Sequence, residues 1–528
     1  MTATQAFFAG KSVLVTGVTG FLGKVLVEKI LRGLPGIGRV YLLIRPTQRA
    51  DRVVGGAERL RGEVLTSSIF DRLKEEWGEA FPDFVESRLT VVEGDLAHGR
   101  LGVSEEDYRR LAAEVEVILN SAAIVGFDGP LDQSLDLNTL GIRRLLDFAR
   151  DCQRLRALVQ ISTCYVSGRR EGWIREEIDE PPFDVEAEAA RLEARCAHIR
   201  RRHADGKARD LLVALGLRRA RELGWHDTYT FTKWMGEQFL VKYRGEVPTA
   251  IVRPAIIEST YREPCPGWID GFRMSDPLFV GFGKGQLEDF PAGRDTILDL
   301  IPADQVVNGI LACAPRCAEE GGLRVYQMAT GDQNPASFPE IYELSKEYFT
   351  RHPLRRRDGA PIRVSTFTFP DPAAYRRRLL WRKGLPSRAS TAVLRPLSFV
   401  RRADKLRRKL VAKAASLDLL FYYIDIYSPY TTIKARFATA NTQGLWNSLS
   451  PGDKELFPFD ASSIDWHEYI TAIHLPGLKR HVLKLADDRP GREHGPQAPP
   501  AAPAIDEIGD GSPAEEREAG RVSVPSTP

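Results

Sequence analysis

Thr16-Gly17-Val18-Thr19-Gly20-Phe21-Leu22-Gly23 follows directly on the apolar run Ser12-Val13-Leu14-Val15 and opens a helical pattern over residues 25–31. Its glycines have the spacing G-x-x-G-x-x-G. Missing side chains permit a tight turn, a close backbone approach to a pyrophosphate, and tight packing of helix on strand. The helix N-terminus aims free N–H groups and partial positive charge at the same place. Glycine spacing alone is weak, but between a buried strand and a helix it reads as the phosphate loop of a dinucleotide site.

Outward from this loop, short apolar runs at 40–44, 89–92, 115–119 and 157–161 alternate with helical patterns to about residue 330. That rhythm predicts an α/β fold, a doubly wound parallel sheet of the Rossmann type with helices on both faces. A charged, helix-rich segment at about 185–225 interrupts it and reads as two helices broken near Asp205-Gly206. We expect a cofactor-binding domain over 1–335, a mainly helical domain over 336–486 and a disordered tail over 487–528, a stretch with no aromatic residue and many Pro, Ala, Glu and Gly.

The chain has 528 residues, 43% of them hydrophobic, which is enough for real cores and excludes a wholly disordered protein. There is no run of 18 apolar residues, so no membrane-spanning helix is expected, and the opening MTATQAFFAGKSVLV does not read as a signal peptide. Six scattered cysteines suit neither a disulfide framework nor a zinc site, and the expectation is a metal-free protein of a reducing compartment. We expect it in the cytoplasm, with peripheral membrane contact left open. The net charge of +3 hides an asymmetry: residues 351–413 carry nineteen Lys or Arg against three acidic residues. Two readings of that stretch stand together, a solvated helical face and a docking surface for an anionic group such as a coenzyme A phosphate, an acidic carrier or a membrane. There is no nucleic-acid motif.

Two further stretches carry chemistry. The second strand ends Leu42-Leu43-Ile44-Arg45, with no acid before Asp51. An arginine there pairs with a 2′-phosphate where a carboxylate would repel it, which favours NADPH, a plain surface arginine being the alternative. Val159-Gln160-Ile161-Ser162-Thr163 puts hydroxyls at the C-terminal end of a buried strand, and Tyr229-Thr230-Phe231-Thr232-Lys233 puts Tyr and Lys at i and i+4 on one helix face. Tyrosine, with a reference pKa of about 10, needs a nearby ammonium to exchange protons at neutral pH.

With these pieces in this order, the sequence resembles the extended short-chain dehydrogenase/reductase superfamily and, within it, the fatty acyl-CoA reductases of bacterial, alcohol-forming type. The resemblance is carried by VLVTGVTGFLGKVLVEKIL, VVEGDLA, LNSAAIVGFDGPL, QISTCYVSG, DTYTFTKWMGEQ, IVRPAIIEST and PGWIDG. It continues through YYIDIYSPYTTIKARFATANTQGLWNSL and FPFDASSIDWHEYITAIHLPGLKRHVLK, and covers residues 10–485. It implies that Gly17, Gly20 and Gly23 hold the pyrophosphate of NADPH, with Thr19, Phe21 and Leu22 as loop contacts. Arg45 would take the 2′-phosphate, and Asp95 and Leu96 the adenine. The backbone around Asn120 and Ala122 would face the middle of the cofactor, and Pro254 and Ile256 the nicotinamide. Asn138 would position Lys233 through water, and Thr163, or Ser162 in its stead, would partner Tyr229.

The implied activity is reduction of a long-chain acyl-CoA or acyl-carrier thioester through an aldehyde to a primary alcohol. Stopping at the aldehyde, a sugar-nucleotide or steroid dehydrogenase, and a non-catalytic NADP sensor are the alternatives. One departure from the pattern is that Tyr229 lies 66 positions after Thr163, the excess being the charged helical segment. Acyl-groove walls are expected from that helix pair and from Trp268, Phe272, Phe421, Tyr422, Tyr423 and Tyr427.

Overall fold

Seven short runs, rich in Val, Ile and Leu, form one sheet: β1 (Ser12–Thr16), β2 (Val40–Ile44), β3 (Leu89–Glu93), β4 (Val115–Asn120), β5 (Ala157–Ile161), β6 (Thr249–Pro254) and β7 (Leu323–Met328). The computed structural model describes residues 1–49, 52–272, 274–287, 289–356, 358–381 and 420–485, together with Val411 and Leu417. The spatial order is β3-β2-β1-β4-β5-β6-β7, and every neighbouring pair is parallel. Every residue of β2, β5 and β6 is buried, as expected of strands covered on both faces. The order reverses between β1 and β4, and the crevice beyond the carboxyl ends of those two strands is where open α/β sheets bind ligands.

The helical insertion consists of Val185–Arg202 and Asp205–Leu223. The break falls at His203-Ala204, two residues before the expected one, and Asp205 is the first residue of the second helix. Leu192, Cys196, Leu212 and Leu215 join Trp225, Phe231 and Met235 in one apolar cluster. The insertion therefore braces the helix Thr228–Tyr243.

The C-terminal part is less purely helical than expected. Ala435–Phe437 forms a strand parallel to Gly172–Ile174, more than 250 positions earlier. Glu176, just past that pairing, accepts hydrogen bonds from Gln327 N (2.7 Å) and Thr442 Oγ1 (2.7 Å) and one from Asn441 N. Asp453 accepts from Thr4 N at 3.0 Å. Residues 466–482 are helical without a break, with wide π-type turns at Tyr469–His474 and Leu478–Val482. In the basic stretch, Arg351 pairs with Glu347 (2.8 Å), Arg376 with Asp425 and Arg378 with Asp289 (3.3 Å). About half of that stretch, residues 357, 382–410 and 412–413, lies outside the described residues, as does the expected tail over 487–528. Among the described residues no helix is long and apolar enough to cross a membrane.

Candidate active site

The loop after β1 requires its glycines at two positions. Gly17 has φ +71°, and a Cβ there would lie 2.6 Å from the Ser121 carbonyl carbon and 2.7 Å from Ala122 N. A Cβ on Gly23 would meet Gly17 O at 2.2 Å. Gly20 caps the helix Phe21–Gly33 without any side-chain bond, so no side chain takes up its first N–H groups. Phe21 stacks on Trp268 at 5.5 Å, and Phe21 and Leu22 are buried. Thr19 lies partly exposed in the loop. The cradle fits a pyrophosphate: it is open, lined by backbone, and set at a positive helix end.

Behind the cradle a polar chain crosses three strands. Thr16 Oγ1 donates to Asn120 Oδ1 and accepts from Ala122 N (3.1 Å), and Asn120 Nδ2 donates to Gln160 Oε1 (2.6 Å). These bonds fix the backbone from Asn120 to Ala122 beside the glycine loop. Arg45 is exposed past the end of β2, with Nη1 3.6 Å from Asp95 Oδ2. Nearby, Arg49 pairs with Glu63 at 2.7 Å. Arg45 can exchange its long ion pair for a phosphate, which Arg49, held by Glu63, is less placed to do. Leu96 is buried, and Asp95 caps its own turn by accepting from Ala97 N at 2.9 Å.

Tyr229 stands in the first turn of the helix Thr228–Tyr243. Asp227 caps that helix, accepting from Thr230 N at 2.8 Å and from the Tyr430 hydroxyl. Thr163 begins the turn after β5 and donates to Pro254 O at 3.3 Å. Burial pushes the Tyr229 phenol up and Asp227 adds to this, while the neighbouring Thr163 hydroxyl works the other way. Ser162, the other candidate, is buried and its hydroxyl has no hydrogen-bond partner. Lys233 Nζ donates to Ile161 O at 2.6 Å. Burial lowers its pKa to about 8, with Glu237 opposing. The sequence reading had the ammonium lowering the phenol; in this structure the acidifying contact on Tyr229 is Thr163, while Lys233 is turned to the end of β5. Asn138 does not reach Lys233 directly. Its amide clamps the loop after β4, accepting from Ile124 N (2.9 Å) and donating to Ile124 O (3.0 Å) and Thr232 Oγ1 (3.1 Å).

A narrow apolar cavity of about 50 Å³ has Ile256, Phe279, Phe290, Phe338, Tyr427 and Tyr430 among its walls. Of the expected wall aromatics only Tyr427 lines it. Trp268 is core, donating to Ser68 Oγ at 3.1 Å, and Tyr422 donates to Asp128 at 2.9 Å. The inserted helix pair contributes nothing to the wall. Tyr430 connects cavity and site: its ring lies 5.3 Å from Phe127, and Phe127 lies 6.5 Å from Tyr229. Asp227 has a residue type that marks helix starts, a readable signal, but nothing local announces Tyr430.

One further cluster uses no cysteine and escaped the sequence reading. Glu258, Asp276 and His474, all buried, bring donor atoms of metal-ligand type within 4.8 Å of one another. His474 Nε2 lies 3.4 Å from Asp276, and its Nδ1 lies 3.1 Å from Ser259 Oγ. Burial, then the neighbouring Asp276, holds the Glu258 carboxyl far above its ordinary range, and burial lowers His474 to about 3. His474 is tied to the chain just past Ile256–Glu258 through Ser259 Oγ, and Glu258 accepts from Ser275 N at 3.2 Å. The Cys164 thiol, next to Thr163, donates to Arg253 O at 2.9 Å, and burial pushes its pKa well up, so it is no nucleophile.

Parallel sheet, glycine cradle and Tyr-Lys-Thr group together define a dinucleotide-dependent reductase of the short-chain type. An NAD-binding family model described as "Male sterility protein" matches residues 15–310, and a second model, "Sterile: Male sterility protein", matches 398–485. The chain belongs to the fatty acyl-CoA reductase family. It is 37% identical over 500 residues to "Fatty acyl-CoA reductase 2, chloroplastic" of Arabidopsis thaliana, covering 91% of this chain and 79% of that one. It is 33% identical to "Alcohol-forming fatty acyl-CoA reductase" of Simmondsia chinensis (90% and 98% covered) and 31% identical to "Fatty acyl-CoA reductase 1" of Mus musculus (92% and 87%). These relatives are plant and mammalian, so the resemblance is wider than its bacterial branch. In fold, the chain is similar to the terminal R domain of the myxalamid PKS-NRPS pathway, with a TM-score of 0.56 at 20% identity over 91% and 93% of the two chains.

Proposed function

We propose that this protein reduces long-chain fatty acyl-CoA to the primary alcohol, using NADPH. The observation that carries the reading is the group Tyr229, Thr163 and Lys233, joined through Phe127 and Tyr430 to an apolar cavity that Tyr430 and Tyr427 help to wall. When bound, the cofactor supplies a hydride in each of two reductions. Gly17, Gly20 and Gly23 would hold its pyrophosphate, Arg45 its 2′-phosphate, and Pro254 and Ile256 would border its nicotinamide.

Tyr229 and Thr163 present hydroxyls to the thioester oxygen and stabilise the negative charge that develops there. The resulting hemithioacetal collapses to an aldehyde and frees the thiol. In the second reduction Tyr229 gives its proton to the alkoxide. Lys233 supplies a positive charge that favours the phenolate left behind, and Asn138 keeps the loop after β4 and the Tyr229 helix in register through Ile124 and Thr232. The first methylenes of the alkyl chain face the cavity, which at about 50 Å³ is too small for the whole chain.

The test is NADPH oxidation with palmitoyl-CoA, with the product identified. Two NADPH consumed per hexadecanol formed is the expected result; accumulation of palmitaldehyde at one NADPH would make the protein an aldehyde-forming reductase. Tyr229→Phe should lower kcat by about 10²- to 10⁴-fold with the melting temperature unchanged.

A further inference from the structure

An acyl-CoA carries its reacting carbonyl on a long arm that ends in a diphosphate and a 3′-phosphate, so a site for the chain and a site for the carbonyl leave the anionic end unassigned. The basic stretch over 351–413 is the expected place in the sequence. The structure offers another, joined to Thr163 and Tyr229 by short lengths of chain. A surface groove on the outer side of the inserted helix Asp205–Leu223 is lined by Arg169, Arg218, Arg221, Ala214, Leu217 and Glu222. Three guanidinium groups face one carboxylate there, and Glu222 is already engaged, 3.0 Å from Arg219 and 3.8 Å from Arg218. Among the described residues no carboxylate lies within ion-pair distance of Arg169 or Arg221, although most other arginines of the fold have one. Unpaired cations grouped around two apolar side chains suit an anionic ligand with a flat, partly apolar body.

The groove is tied to the catalytic group by short lengths of chain. Arg169 follows Thr163 by six residues, across the single turn Cys164–Ser167. Arg221 precedes Tyr229 by eight. Arg169 N donates to Gly224 O at 2.9 Å, holding these two approaches together. Between groove and cavity stands His226, whose ring lies 6.0 Å from that of Tyr430. His226 is pushed down to about 4, by burial first and then by Arg169 and Arg221, so the imidazole is neutral and does not add to the charge.

Resting on the acyl-CoA reading above, we infer that Arg169, Arg221 and Arg218 bind the phosphorylated adenosine end of coenzyme A. The pantetheine arm runs in past His226, and the start of the acyl chain passes Tyr430 at the edge of the apolar cavity. The insertion that separates Thr163 from Tyr229 thus supplies a substrate-handle site absent from a reductase without it.

The second reduction provides the control, because a free aldehyde has no handle. Arg169→Glu combined with Arg221→Glu should raise KM for palmitoyl-CoA by about tenfold or more, that is by about 1.4 kcal/mol or more of binding. The salt dependence of that KM should flatten. Free coenzyme A, titrated calorimetrically into NADPH-saturated enzyme, should bind wild type and not the double variant. KM and kcat for palmitaldehyde should be unmoved. A variant that keeps wild-type KM for palmitoyl-CoA and still binds coenzyme A overturns the inference and leaves the proposed function standing. So does equal loss of activity on aldehyde and thioester, which would mark a structural role. Loss confined to an acyl-carrier-protein substrate would assign the groove to a protein partner and overturn it too. Wild-type enzyme that reduces palmitaldehyde but neither reduces palmitoyl-CoA nor binds coenzyme A removes the acyl-CoA reading and this inference with it.

Discussion

Lys233 is held where a charge is costly. It is buried at the foot of the Tyr229 helix, its ammonium bonded to a backbone carbonyl, and burial brings its pKa to about 8. Below about pH 8 the ammonium is present and, on the proposed mechanism, supports the phenolate formed at Tyr229; above it the charge is lost. The kcat/KM profile should therefore carry an alkaline limb centred near pH 8, and Lys233→Arg, which titrates only above about pH 12, should remove that limb. A profile flat to pH 10 in the unaltered enzyme would contradict this assignment. Tyr229, Lys233 and Thr163 stand out as candidates in the sequence because each lies in a short motif whose spacing has a local geometric meaning. Their protonation does not. It depends on burial and on partners such as Asp227, Glu237 and Ile161 O, which no spacing announces.

The glycine loop shows what an element owes to individual positions. Its strand, turn and helix were readable because all three are set by neighbours within a few residues: a β-branched run, missing side chains, and an apolar helix face. The structure adds a ranking. A methyl on Gly23 would collide with Gly17 O at 2.2 Å, whereas one on Gly20 meets only that same atom at 3.2 Å. Gly23→Ala should therefore force helix and strand apart, lowering stability by about 1–3 kcal/mol and weakening NADPH binding, as seen by urea unfolding and fluorescence titration. Gly20→Ala should leave stability within about 1 kcal/mol of wild type and affect cofactor binding alone. The helix pair was legible as an element too. Its position was not: charge along a helix reveals an exposed face, but not which neighbour the other face covers, and here that neighbour is the Tyr229 helix rather than the acyl cavity.

At the scale of the whole molecule, residues far apart in sequence complete one site. Tyr430 donates to Asp227 across 203 positions, and His474 joins Glu258 and Asp276 across some 200. Such pairs leave no trace in periodicity or composition, which is why the aromatic residues near 421–427 were read as a wall as a group although Tyr427 alone of them lines it. Tyr430→Phe deprives the buried Asp227 of a hydroxyl donor while keeping the ring packing. It should cost about 1–3 kcal/mol in urea unfolding and lower kcat by misplacing the Tyr229 helix. An unchanged unfolding midpoint would mean that the Asp227 cap does not depend on the C-terminal segment.

The parallel pairing of Ala435–Phe437 with Gly172–Ile174 also bears on how the enzyme is made. A ribosome delivers the glycine loop first and the last wall of the cavity several hundred residues later. Until residues 427–437 emerge, Phe279, Phe282 and Phe290 border an unsealed apolar trough, and Gly172–Ile174 offers an unpaired strand edge. Both are features that invite association between nascent chains. Translation that stalls short of residue 430 would therefore release a sticky intermediate rather than a slow enzyme, and the yield of active protein should respond to chaperone supply during synthesis.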